Sequence, residues 1–179
     1  RSAKNLENKI LELGPEKVSA FVGETMLGGL IGDVPPTPNY WKLVREVCNK
    51  YDVHMIVDEI YCGTGSSGKY FCLDYDDVTP DFLLLGKTLA AGYSPLSGVV
   101  TKSEFRDQIS SRQGRLQHTT TFQGFSLGVA AALAVQSIVG DKSFLERVTK
   151  LGIEGRTLIE TKLSNHKNFM RSEEHTSEL

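Results

Sequence analysis

The chain has 179 residues, 40% of them hydrophobic and 23% charged, the balance of a soluble globular protein long enough to bury a core. Its longest apolar runs, Phe82 to Leu85 and Val129 to Val135, fall short of the roughly 18 residues of a membrane span, so no membrane partner is expected. The formal net charge of −2 comes wholly from residues 171–179, where Arg171 faces Glu173, Glu174 and Glu178; the near-neutral remainder has no basic footprint for nucleic acid.

From the N-terminus, Ala3, Leu6, Ile10 and Leu13 recur at helical spacing until Gly14-Pro15, which predicts an amphipathic helix over 2–13. A short strand is expected over Val18 to Val22, followed by a long glycine- and proline-rich loop over 23–39 of the kind that borders a site. Pro38 opens a second helix with Tyr40, Trp41, Val44, Val47 and Cys48 on its apolar face, and Asp52 marks the turn into a strand over His54 to Val57. Two more short apolar strands, Phe82 to Leu85 and Leu96 to Val100, precede a helix that Ser103 is expected to cap and that runs to about Arg112. Ser126 to Val139 is alanine-rich and helical, and Asp141 caps a last helix carrying Phe144, Leu145, Val148, Leu151, Leu158 and Leu163. This alternation predicts an α/β fold whose mostly parallel sheet is flanked by helices on both faces, with ligands at the carboxyl ends of its strands. Residues 1–140 are expected to form part of a large domain and 141–170 a helix leading out of it. Residues 171–179 break the helical pattern, look like the translation of a sequencing adapter, and are set aside as a non-native tail.

The three cysteines, Cys48, Cys62 and Cys72, form no Cys-x-x-Cys pair. They point away from a disulfide framework or a zinc site and toward free thiols in a cytoplasmic compartment. Arg1 to Leu6 lacks the apolar run of a secretory signal.

Two polar residues terminate apolar strands: Asp58 closes His54-Met55-Ile56-Val57, and Lys87 follows Phe82-Leu83-Leu84-Leu85-Gly86. Both are expected to face one crevice. A carboxylate there keeps a heteroaromatic nitrogen protonated, and an amine nearby forms a Schiff base with an aldehyde; together they suit pyridoxal 5′-phosphate, whose protonated ring withdraws electrons from the substrate carbon. The freed lysine amine then shuttles the proton. Ile56-Val57-Asp58-Glu59 and Gly86-Lys87-Thr88 also suggest a nucleotide-hydrolysing module. That reading fails on spacing, because a P-loop needs a glycine where this chain has Asp81, and the apolar strand between cannot cradle phosphates.

Over roughly 16–140 the motifs fall in one order: Phe21-Val22-Gly23-Glu24, Val34-Pro35-Pro36 with Tyr40-Trp41, Val57-Asp58-Glu59-Ile60, Gly63-Thr64-Gly65-Ser66-Ser67-Gly68, Pro80-Asp81, Gly86-Lys87, Gly92-Tyr93-Ser94-Pro95-Leu96 and Thr121-Phe122-Gln123-Gly124. This series resembles class III (ω-) pyridoxal-phosphate-dependent aminotransferases. The resemblance implies the large domain of a fold type I enzyme that moves an amino group from an amine or amino acid donor to a keto acid such as pyruvate. By the same resemblance Lys87 is the catalytic lysine that carries the cofactor, Asp58 partners the pyridinium nitrogen and Ile60 packs on the ring. Thr121 would donate to the cofactor phosphate from the other subunit of a homodimer, with Glu24 as support behind the site. His118 stays outside this set. Related readings on the same scaffold are an aminomutase or a decarboxylase, and the reading from another class is a non-catalytic nucleotide-binding α/β module.

The chain departs from the family pattern at three places. Gly28-Gly29-Leu30 holds no glutamate where ornithine and γ-aminobutyrate types carry a switching one, which points to ω-amine:pyruvate types. Tyr61 replaces a frequent glutamine, and Ser66 replaces the usual arginine of the glycine block. Neither the phosphate loop nor the carboxylate-binding arginine of the family is found in these residues, so the chain is expected to be a fragment inactive by itself.

Overall fold

The structure, a computed structural model, describes residues 2–28 and 32–169. Gly29 and Leu30 of the loop after β1, and the adapter-like stretch 171–179, lie outside the described residues. Helix α1 (Ser2–Leu13) and helix α2 (Tyr40–Tyr51) pack on each other and on a four-stranded sheet of β1 (Ala20–Glu24), β2 (His54–Asp58), β3 (Phe82–Leu85) and β4 (Gly98–Thr101). The strands lie in sequence order; β1, β2 and β3 run parallel and β4 antiparallel at the edge. Helices α3 (Ser103–Gln113), α4 (Ser126–Val139) and α5 (Lys142–Leu163) follow.

The core sits where the apolar stripe of α1 and α2 meets one side of the sheet. Ile10, Trp41, Val44 and Cys48 close over Met55, Val57, Leu83 and Leu85, and each fully buried aliphatic side chain there contributes about 1.5–3 kcal/mol. Helix α2 stops at Asp52 in left-handed geometry (φ 55°), its N–H returning to the Cys48 carbonyl, as helix ends do when the chain must reverse into a strand. Asp81 ties the entry of β2 to β3: its carboxylate accepts from the Met55 N–H and from Arg45, both at 2.8 Å, while its own N–H donates to the Met55 carbonyl at 2.9 Å.

Four expectations shift. Strand β1 begins at Ala20 rather than Val18, because Pro15–Lys17 winds into a 3-10 turn that draws the Val18 N–H to Pro15. Strand β4 begins at Gly98, the partner of Leu85 at the end of β3; the residues before it have no ladder to join. Ser103 is the first helical residue of α3, not its cap, and Lys102 holds the cap position without a side-chain bond. Nor are both sheet faces equally covered. Met55 and Val57 are buried while Ile56 and Asp58 between and beyond them are half-exposed; α1 and α2 cover one face, and Phe105 of α3 packs on His54 and Phe82 on the other. By contrast the Asp141 cap is as expected, accepting from the Ser143 and Phe144 N–H groups.

Candidate active site

The parallel register sets Glu24 opposite Asp58 and Asp58 opposite Leu84. The carboxyl ends of β1, β2 and β3 therefore share one sheet edge, and Lys87 lies just past Leu85 on that edge. Residue alternation sends neighbours to opposite faces. Asp58 stays on the half-open face with Ile56, its Oδ1 fixed by the Ile60 N–H at 2.8 Å. Glu59 turns into the core face, 1% exposed, and accepts from the Cys72 and Leu73 N–H groups at 2.8 and 2.7 Å. Burial pushes the Glu59 carboxyl up to about 6, against the pull of the two N–H groups toward the charged form. Two adjacent acids thus serve different ends, since Asp58 is presented to the edge while Glu59 staples the turn 72–75 beneath it.

Ile60 leans on Gly86. A Cβ at that glycine would lie 3.1 Å from Ile60 Cγ2, so the missing side chain is what lets Ile60 seat directly beside Lys87. Lys87 has left-handed backbone (φ 41°), a conformation costing an L-residue on the order of 1–2 kcal/mol. Its Nζ stands 4.8 Å from the Tyr61 ring centroid, a cation–π placement, and among the described residues it forms no ion pair. Tyr61 in turn holds Asp33, whose carboxylate raises the phenol pKa chiefly by accepting its hydrogen bond. A Cβ at Gly28 would come within 2.7 Å of the same ring. Asp58, Ile60, Tyr61, Gly86 and Lys87 are hence one contiguous set: an oriented carboxylate, an apolar wall, an aromatic ring and an amine.

Ser66, where the family pattern has arginine, donates to the Tyr61 and Gly63 carbonyls at 3.3 Å and so closes its own turn. Thr25, just beyond Glu24, lies 2.6 Å from the Cys62 sulfur and bonds to the Asp58 carbonyl, joining the ends of β1 and β2. Glu24 itself is exposed. Thr121 and His118 lie in the exposed stretch 111–125, and among the described residues no hydrogen bond joins Thr121 to Asp58 or Lys87. Two residues of this neighbourhood were not singled out as functional by sequence reasoning: Tyr61, noted only as a departure, and Gln136. Its signal was a lone amide in the apolar α4.

The sequence pattern of the family described as Aminotransferase class-III matches residues 1–171. The chain belongs to the class III aminotransferase family. An aminotransferase of Gibberella zeae is 36% identical to this class III chain over 166 residues, covering 93% of the chain and 32% of that protein. The taurine–pyruvate aminotransferase of Bilophila wadsworthia is 36% identical over 156 residues, covering 85% and 34%. The ornithine aminotransferase of Toxoplasma gondii, described with partial occupancy of PLP at its active site, superposes with a TM-score of 0.82 at 32% identity over 95% of this chain and 38% of that one. The chain thus spans about a third of the length of the curated relatives it matches. The α/β architecture with its mostly parallel sheet is that of the class III transaminases.

Proposed function

We propose that the protein containing this chain is a pyridoxal 5′-phosphate-dependent transaminase that moves an amino group from an amine or amino acid donor to a keto acid, pyruvate among them. The observation that carries this reading is the shared sheet edge at which the oriented Asp58 carboxylate and Ile60 sit beside the Gly86-Lys87 turn. The residues present fit the cofactor: an acid for a ring nitrogen, a branched apolar side chain for a ring face and an amine for an aldehyde. When bound, the cofactor supplies an aldehyde for covalent attachment and a ring that withdraws electrons from the substrate carbon. Asp58, with Oδ1 already committed to the Ile60 N–H, keeps its remaining acceptor capacity for the ring N–H and favours that nitrogen's positive charge. Lys87 first binds and then, as a free amine, carries a proton at the substrate carbon. Ile60 excludes water from one ring face.

Tyr61 beneath the amine limits where Nζ can swing. Glu24 supports the edge from β1. Thr121, exposed in this chain, donates to the cofactor phosphate of a partner subunit, which makes the functional unit a homodimer with shared sites. The taurine–pyruvate relative makes pyruvate the first acceptor to try. Residues 1–140 belong to the large cofactor domain, 141–170 lead toward a small domain, and 171–179 are not native. With Lys87 and Thr121 both open to solvent, the chain by itself does not turn over. Three free cysteines suit a cytoplasmic, reducing setting.

Borohydride treatment of the complete protein after loading with pyridoxal phosphate tests the anchor: peptide mass analysis should place the reduced adduct on Lys87. An adduct on another lysine, or none, removes the assignment. Alanine formed from pyruvate and an amine identifies a transaminase; an isomerised or decarboxylated amine would assign an aminomutase or a decarboxylase.

A further inference from the structure

The turn that presents Lys87 is held by groups outside the proposed cofactor contacts. Lys87 sits in left-handed backbone, and the turn closes through the Leu89 N–H to the Gly86 carbonyl at 2.8 Å and the Ala90 N–H to the Lys87 carbonyl at 3.3 Å. Those bonds leave the Thr88 and Leu89 carbonyls facing α4. Gln136, on a helix whose neighbouring Ala132 and Val135 are buried apolar residues, reaches both: its Nε2 donates to Thr88 O at 3.3 Å and to Leu89 O at 2.9 Å. The amide is itself oriented, because Tyr70 Oη donates to Gln136 Oε1 at 2.7 Å. On the other side the Thr88 hydroxyl donates to the Gly63 carbonyl at 2.8 Å and pairs with the Thr64 hydroxyl. The lysine turn is gripped from α4 and from the glycine block together.

We propose that Gln136, oriented by Tyr70, is a positioning residue that holds the Lys87 turn in its left-handed form and so aims the Lys87 amine at the cofactor aldehyde. The proposal rests on the reading of Lys87 as the anchor. An apolar residue at 136 would still pack α4 but would leave two carbonyls without donors. The turn would then relax toward conformations in which the amine points elsewhere.

Gln136→Met, close to the native side chain in length and shape, is the main variant in the complete protein. Amide hydrogen exchange without cofactor is the first readout. The Leu89 and Ala90 N–H groups should exchange about tenfold faster, the size expected from losing a hydrogen bond's worth of local stability, while Met55 and Val57 in the core keep their native rates. The second readout is the rate at which added pyridoxal phosphate is captured, a step in which the Lys87 amine bonds to the aldehyde carbon and the aldehyde oxygen leaves as water. Capture should slow about tenfold. Native exchange at Leu89 and Ala90 overturns the proposal, and so does acceleration spread equally to Met55 and Val57, which would mark a general packing role. Should Gln136→Met not fold, Tyr70→Phe decides: it keeps the two carbonyl bonds but frees the amide to rotate, and native rates in both readouts overturn the proposal. If the native protein captures no cofactor at Lys87, the functional reading fails while the exchange data still decide whether Gln136 holds the turn.

Discussion

The half of the chain that runs through α1, α2 and β1 to β3 differs from the half that runs through α3, α4 and α5 in where its apolar residues lie. In the first, Ile10, Val44, Cys48, Met55 and Val57 are at most 1% exposed. In the second, α3 and α5 bury no residue, and Leu133, Leu151, Ile153 and Leu158 on α4 and α5 stay exposed. The second half attaches more sparsely: α3 packs through Phe105, α4 buries Gly128, Ala132 and Val135 and sets Gln136 on the Lys87 turn, and Val139 and Thr149 lie against Gly65 and Gly68, whose positive φ angles and lack of side chains admit them. Stability therefore concentrates on one side of the sheet edge, and the candidate site lies on the seam between a densely packed region and a sparsely packed one. Where the fold draws its stability and where it places its reactive groups are separate questions.

The largest effect that would break this contrast belongs to Asp81. Burial by itself would raise its carboxyl, but the Met55 N–H, Arg45 and Lys102 outweigh that and hold it below the usual carboxylate range. A depressed carboxyl contributes stability at neutral pH that is lost as pH falls through its folded pKa. Asp81→Ala strands the mostly buried Arg45 guanidinium and leaves the Met55 N–H without its acceptor, a loss of about 3–5 kcal/mol. Urea unfolding of native and variant chains measures it. A loss below about 1 kcal/mol would show that water replaces the pair and that the first half is less sealed than its packing implies. Met55→Ala follows, at about 2–5 kcal/mol for a fully buried methionine; a value near zero by the same measurement would contradict the core assigned here.

What could be read in the sequence divides along the same lines. Helices over Ser2–Leu13 and Tyr40–Tyr51 follow from local periodicity, and Asp58 and Lys87 stand out as a pair because each follows an apolar strand and together they suit one cofactor. The start of β1 was hidden because Val18 and Ser19 are as compatible with a strand as Ala20; the 3-10 turn before them decided the matter. The left-handed backbone at Lys87 runs against the preference of any residue with a Cβ, and nothing in Gly86-Lys87-Thr88 announces it. Gln136 was illegible for another reason. Its partners at Thr88 and Leu89 lie far away in the chain, and locally it is one more good helix former. Thr121 and Glu24 gained meaning only from the family resemblance, and among the described residues neither forms a hydrogen bond or ion pair with Lys87.

Glu59 supplies a smaller, pH-dependent effect on the packed side. Its carboxyl is raised from the ordinary 4.5 to about 6 by burial. A raised acid means that the folded state holds the proton more tightly than the unfolded chain, so its contribution to stability is greatest below pH 4.5 and declines as pH rises through the interval up to about 6. The shift corresponds to about 2 kcal/mol at most. Unfolding free energies taken across about pH 4 to 7 should lose this downward component in Glu59→Gln, whose amide does not ionise. A native slope in the variant would assign the pH dependence to other groups.

The smallest expected effect sharpens the comparison most. Leu133 on α4 is 68% exposed, so Leu133→Ala in the 179-residue chain removes little that folding had taken from water, and alanine is the better helix former. The change in unfolding free energy should stay within about 0.5 kcal/mol, against the several-fold larger loss at Met55. The same substitution in the complete protein asks whether residues beyond this chain cover α4: if they do, Leu133 becomes a core position there and its loss rises into the range of about 2–5 kcal/mol. A small effect in both settings would mean that the exposed apolar row of α4 stays open to solvent, and that only the side of α4 carrying Ala132 and Val135 holds Gln136 against the Lys87 turn.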